Sequence, residues 1–240
     1  YPKGAIWEYL MTLANSNYED WRLANPNEDI DNFKFSFSKM SKAGALFDMV
    51  KLADVSKNYI CRLSAEEVYE MVTDWAKENN KKLYKLLVDD EEYAKAIFAI
   101  ERGNAKPRKD ISAWTDVENY VSYFYSELWD RKFDFPDNLS NDDMIEILEL
   151  YKQIYDENVS SDDWFPQVRD MAETIGYAKA PKVYKKDPDS YKGHVGDVAG
   201  VIRVAATGRR NTPDLYEILQ VLGKDEVMKR FDEAIESLRG

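Results

Sequence analysis

Histidine and cysteine are almost missing from this chain: His194 and Cys61 are the sole examples in 240 residues. One thiol excludes an internal disulfide and any cysteine-based zinc site, and it fits a reducing, cytoplasmic setting. Ten glycines and eight prolines are few for an all-β protein, which needs many turns. No run of about 18 apolar residues occurs, so no segment is expected to span a membrane. No signal-peptide pattern opens the chain. Tyr1-Pro2-Lys3-Gly4 begins without Met and enters a helical pattern at once, as expected of a piece of a longer protein. No metal cluster, no Ser/His/Asp set and no phosphate-cradling glycine loop is present, and Asp89-Asp90 and Asp162-Asp163 read as solvated caps.

Core-forming residues are plentiful: 44% are hydrophobic and 13% aromatic, which argues against disorder. Most of the aromatic residues fall at helical spacing and read as core. The net charge of −12 disfavours nucleic acid at first sight, because phosphates need Lys and Arg. Distribution matters more than the total. Between Asp134 and Glu173 twelve acidic residues stand against two basic ones, so this block carries most of the excess. Arg102 to Lys109 holds Arg102, Lys106, Arg108 and Lys109 with no acid among them. Lys179 to Lys192 has five Lys against two Asp, and Arg203, Arg209 and Arg210 lie close together. A protein can bind RNA on basic patches of this kind while an acidic face elsewhere keeps it soluble.

Helical periodicity dominates, no stretch alternates with period two, and the fold class is all-α. The pattern predicts a helix over 5–14 with Ile6, Leu10 and Leu13 inward. Ser64-Ala65-Glu66-Glu67 is a capping box opening another helix, with Val68, Val72, Trp75 and Ala76 as its buried stripe. Further helices are predicted over 91–102, 112–129, 140–156, 161–175, 195–207, 212–222 and 225–238. Gly208 and Gly223 fall where helix ends need a left-handed residue. Thr212-Pro213 reads as an N-cap followed by Pro at the first helical position. Linkers are expected around 102–110 and 177–193. Cys61 reads as buried packing and His194, beside Gly193, as an exposed loop residue.

Three passages resemble the post-catalytic part of bacterial glutamyl-tRNA synthetases. The first is Lys3-Gly4-Ala5-Ile6-Trp7-Glu8-Tyr9-Leu10. The second is Ser41-Lys42-Ala43-Gly44-Ala45-Leu46-Phe47-Asp48-Met49-Val50-Lys51-Leu52, followed by Lys57-Asn58-Tyr59-Ile60. The third is Ile202-Arg203-Val204-Ala205-Ala206-Thr207-Gly208, with Thr212-Pro213-Asp214-Leu215 and Leu222-Gly223-Lys224 after it. Their order and spacing hold along nearly the whole chain, except that 134–187 matches poorly. The resemblance implies a stem-contact domain (1–63) and two helical anticodon-binding subdomains (64–133 and 134–240, the latter with the acidic stretch as an insert). It implies tRNA(Glu) as partner, a monomer, and no cofactor here. ATP and Mg²⁺ would act in a catalytic domain outside this chain, without which it is inactive.

The same resemblance implies site residues. Arg108, stiffened by Pro107, takes the role of an Arg that reads the third anticodon base; by composition alone it is a solvated linker charge. Arg203, Thr212, Pro213 and Leu215 would meet splayed anticodon bases, although Thr212 is also readable as an N-cap only. Lys42, Lys51, Lys106, Lys109, Arg209 and Arg210 are placed at the RNA backbone. Lys39-Met40-Ser41-Lys42 spells the ATP-loop signature of class I synthetases, but no nucleotide-binding strand, loop and helix precede it, so a loop of the stem-contact domain is expected. A rival reading, motivated by the acidic block, is an all-α protein-interaction module without RNA binding. A glutaminyl-tRNA synthetase tail is disfavoured, because its anticodon domains are β-barrels.

Overall fold

Ser64 caps its helix as the sequence predicts. Its hydroxyl accepts from the Glu67 N–H at 3.1 Å, and the Glu67 carboxylate accepts from the Ser64 N–H at 2.7 Å. Two donors that the first helical turn cannot use are thereby satisfied. This helix belongs to the first of two compact units, Tyr1–Tyr125 and Ser126–Gly240, of the computed structural model. All residues are described except Ser41, Lys42, Ala43 and Ala45.

The first unit contains α1 (Lys3–Ala14), α2 (Tyr18–Ala24), α3 (Met49–Ile60), α4 (Ala65–Asn79), α5 (Lys81–Asp89), α6 (Glu91–Ala99) and α7 (Val117–Val121). α1 packs along α3, and α4 packs on α5 and α6. The short α5 and α6 persist because each start is capped: Asn80 accepts from the Leu83 N–H and Asp90 from the Tyr93 N–H. Leu83 and Leu87 on one, and Ala94, Ile97 and Phe98 on the other, are fully buried.

The second unit contains α8 (Asn141–Ile154), α9 (Ser161–Thr174), α10 (Pro181–Tyr184), α11 (Val195–Thr207), α12 (Leu215–Leu222) and α13 (Lys224–Arg239). The apolar α11 is central, touching α8, α9 and α13. Gly208 ends it in the left-handed region at φ 75°, where its N–H meets the Val204 carbonyl at 2.7 Å. Behind that end Arg230 is 1% exposed. Its guanidinium donates to the Ala206 carbonyl (2.7 Å) and to Glu226 (2.8 Å), and lies 4.1 Å from the centre of the Trp129 ring.

The all-α class holds: among the described residues no strand forms, and the β-type pairing present is an isolated bridge between Ala178 and His194. No helix among them is long and apolar enough to cross a membrane.

Four expectations need correction. α1 buries Ala5, Glu8 and Tyr9, while Ile6 and Leu10 are each 41% exposed. Polar partners choose that face: Glu8 meets two arginines, and the Tyr9 hydroxyl accepts from the Asp48 N–H at 2.6 Å. Residues 112–129 do not form one helix. A 3-10 turn (Trp114–Asp116), α7 and a second 3-10 turn (Ser122–Phe124) replace it. Val121, Tyr123, Phe124 and Tyr125 are all buried, and on an α-helix these would point to nearly every side at once. The N-cap before α12 is Asp214, whose carboxylate accepts from the Glu217 N–H at 2.9 Å, so Thr212 and Pro213 lie ahead of the helix. His194 is not a loop residue in solvent. It caps α11 by accepting from the Gly196 N–H at 2.9 Å. The helices α2, α3, α5 and α10 have no counterpart among those the periodicity predicts.

Candidate nucleic-acid interface

In the first unit the basic run 102–109 divides into one anchor and one presented arginine. The chain turns sharply after α6, with Glu101 at φ 53° and Gly103 at φ 81°. Arg102 pins the turn. Its Nε donates to the Phe98 carbonyl at 2.8 Å, and one terminal nitrogen donates to the Ile60 (2.8 Å) and Leu63 (3.0 Å) carbonyls. A guanidinium so committed is part of the scaffold.

Pro107 follows, and Arg108 sits half-exposed in a bidentate pair with Asp110, at 2.7 and 2.9 Å, with Glu101 at 3.8 Å. Both carboxylates lie outside the Lys106–Lys109 run; the Arg-x-Asp spacing of 108 and 110 signals Asp110, whereas Glu101 reaches Arg108 only through the turn after α6. The nearby Tyr120 phenol is pushed up to about 12 by burial. Lys106 and Lys109 are exposed. Lys51, on α3, pairs with Glu19 at 2.5 Å. Lys42 lies outside the described residues, as does half of the Lys39–Lys42 signature; Lys39 ends a 3-10 turn, and its carbonyl accepts from the Ser16 N–H at 3.1 Å.

In the second unit the corner between α11 and α12 brings Arg203, Thr212, Pro213 and Leu215 together. One Arg203 nitrogen donates to the Pro213 carbonyl at 2.7 Å, to the Thr212 carbonyl at 3.3 Å and to the Thr212 hydroxyl. Thr212 is 6% exposed and Leu215 2%. Thr207, at the helix end, donates its hydroxyl to the Arg203 carbonyl at 2.7 Å and accepts from the Arg209 N–H at 3.2 Å. The corner is therefore internally bonded, and Arg209 and Arg210 follow the end of α11 beside it. Arg210 is exposed; it donates to the Asp134 carbonyl at 2.9 Å and pairs with the Asp134 carboxylate at 3.2 Å. Two helix ends and an arginine clamp, with cationic side chains at the edge, present N–H donors and positive charge of the kind that phosphates and base edges accept.

That geometry is the setting of a known family: residues 189–235 match the family described as anticodon binding domain, a span containing Arg203, Arg209, Arg210, Thr212, Pro213 and Leu215. That part of this all-α chain is thus similar to anticodon binding domains. Over nearly its whole length the chain is homologous to glutamate–tRNA ligases. It is 43% identical to the glutamate–tRNA ligase of Clostridium perfringens (strain SM101) over 235 residues, which are 96% of this chain and 43% of that protein. Identity to the enzyme of Acetivibrio thermocellus is also 43%, covering 98% of this chain and 43% of the relative. The chain therefore spans about two-fifths of the length of the curated relatives it matches. A crystal structure of a glutamate tRNA ligase from Elizabethkingia meningosepticum superposes with a TM-score of 0.60 at 19% identity, covering 98% of this chain and 41% of that one. At that identity the match speaks for a shared fold.

Proposed function

We propose that this chain is the tRNA-binding, anticodon-recognising portion of a glutamate–tRNA ligase, a cytoplasmic monomer whose partner is tRNA(Glu). The observation that carries the reading is the coincidence of the anticodon-binding family match at 189–235 with the bonded corner of Arg203, Thr212 and Pro213. In this reading residues 1–63 contact the acceptor-side stem, and residues 64–133 and 134–240 form two anticodon-binding subdomains. Arg108 reads a base edge from its rigid turn, with Asp110 holding the guanidinium plane. Arg203 shapes the pocket as much as it reads: its clamp on Thr212 and Pro213 sets the shape that Leu215 lines. Lys42, Lys51, Lys106, Lys109, Arg209 and Arg210 meet backbone phosphates. ATP, Mg²⁺ and the joining of glutamate to tRNA belong to a catalytic domain beyond the matched stretch, so this chain alone is expected to be inactive. The relatives named above are all tRNA ligases and give no support to an acidic interaction module without RNA.

Filter binding of tRNA(Glu) to the 240-residue chain at two salt concentrations tests this. With about six phosphate contacts, affinity falls on the order of 10³-fold between 50 and 200 mM salt. Arg108→Gln is expected to narrow the preference for tRNA(Glu) over tRNA(Gln) by about 1–3 kcal/mol. Salt-independent binding, or none, overturns the reading. An unchanged preference removes Arg108 from its role.

A further inference from the structure

A cleft of about 470 Å³ opens in the first unit between α1, α2, α3 and the loop at 107–109. Four cations line it, Arg22, Lys51, Arg62 and Lys109, against three carboxylates, Glu8, Glu19 and Asp54. It therefore carries one positive charge in excess, in a chain whose net charge is −12. The excess is built in. Glu8, 5% exposed, serves two guanidinium groups with a single oxygen, Arg62 at 2.6 Å and Arg22 at 3.0 Å. One carboxylate neutralises only one of them.

The two arginines are not equivalent. Arg22 is also committed to the carbonyls of Asn25 (2.9 Å) and Glu28 (2.6 Å), which shape the turn after α2. Arg62 spends one nitrogen on Glu8 and lies 5.7 Å from the Tyr59 ring centre. A guanidinium has five N–H donors, so most of its capacity for an anion remains. Lys51 and Lys109, far apart in sequence, face the same cleft. Among the described residues Lys109 forms no ion pair, whereas Lys51 is paired with Glu19.

We propose that this cleft is a phosphate-binding site for the RNA backbone, with Arg62 and Lys109 as its principal contacts and the Glu8–Arg22 pair holding Arg62 in place. The proposal rests on the tRNA-binding reading, which already places Lys51 and Lys109 at the backbone, and adds to it Arg62 and the cleft that gathers them. Each phosphate that a cation neutralises shows in the slope of log affinity against log salt, which becomes shallower by about 0.7–0.9 when that cation is removed. The experiment measures tRNA(Glu) affinity of the full chain across a salt series for wild type, Arg62→Gln, Arg62→Lys and Lys109→Gln. Lys95→Gln, on α6 and outside the cleft, is the control. Arg62→Gln and Lys109→Gln are each expected to flatten the slope by that amount, and Arg62→Lys and Lys95→Gln to leave it unchanged. Thermal melting identifies any loss of fold in Arg62→Gln; Lys109 is exposed, so its variant tests the site independently of folding. Slopes parallel to wild type for Lys109→Gln, or for a folded Arg62→Gln, overturn the site while leaving tRNA binding intact. Absence of tRNA binding in wild type overturns the underlying reading and the site with it. Saturable uptake of inorganic phosphate in calorimetry, abolished in Arg62→Gln while the tRNA slope stays unchanged, assigns the cleft to a free anion and also overturns the proposal.

Discussion

Arg108 and Arg203 look alike in sequence, each an arginine in a basic neighbourhood, yet their surroundings separate them. Arg108 is paired at the surface with Asp110, and an exposed pair of this kind contributes about 0–1 kcal/mol to stability. Arg203 donates into the corner of the second unit, where Thr212 and Pro213 are buried. Removing its side chain takes the guanidinium donor from the Thr212 carbonyl and leaves the Pro213 carbonyl to the Thr212 hydroxyl at 3.1 Å, at a cost of about 1–3 kcal/mol. Urea unfolding is therefore expected to show a lower midpoint with unchanged slope for Arg203→Ala, and a midpoint close to wild type for Arg108→Gln. On the proposed function, a loss of RNA binding in Arg203→Ala then reports the loosening of the α11–α12 corner, whereas a change of specificity in Arg108→Gln reports impaired recognition. Equal midpoints for the two variants would show that Arg203 is not a structural clamp.

At the scale of single elements, the ends of the helices carry the information. Ser64→Ala removes one half of the reciprocal cap of α4 and is expected to cost about 1 kcal/mol. Gly208→Ala is expected to cost more than about 1 kcal/mol, because φ is 75° there and a Cβ would collide with the Lys132 carbonyl. That glycine also accepts the Asp134 N–H on its own carbonyl at 3.1 Å, so its geometry sets where the acidic stretch departs beside Arg210. Chemical denaturation of both variants checks the order. A Gly208→Ala chain as stable as wild type would mean that α11 ends equally well without the left-handed residue.

At the scale of the molecule, the aromatic content has a consequence for pH. Burial pushes the phenols of Tyr120, Tyr155 and Tyr177 up to about 12, and raises Tyr151 further still despite the hydrogen bond from Trp164. A raised pKa in the folded state means that the unfolded chain releases these protons first, near the ordinary value of 10.0. Stability is then fully present below that pH and is lost as pH rises from about 10 toward 12. An alkaline titration is expected to show part of the tyrosinate absorbance appearing late and together with the loss of helical circular dichroism. Complete ionisation near pH 10 with the helices intact would contradict this burial. The tyrosines lie in both units, so each is expected to show the effect.

The all-α class, the capping box at Ser64, the full extent of α11 with its end at Gly208, and the inward face of α8 at Met144, Ile147, Leu148 and Tyr151 are all legible in the linear chain. These features depend on local spacing and on caps that close within four residues. The basic segments are visible there too, because charge is legible without coordinates. Which of those charges are available depends on packing. Arg102 turned out to be an anchor and Arg203 a clamp, since both find carbonyl partners, which no spacing rule reveals. The same is true of α1, whose buried face follows Glu8 and its two arginines rather than the apolar stripe, and of 112–129, where all-round burial broke a helix that periodicity favoured. The cleft of Arg62 and Lys109 exists only once α3 and the 107–109 loop are brought together. Long-range packing makes that juxtaposition, and a linear chain holds no record of it.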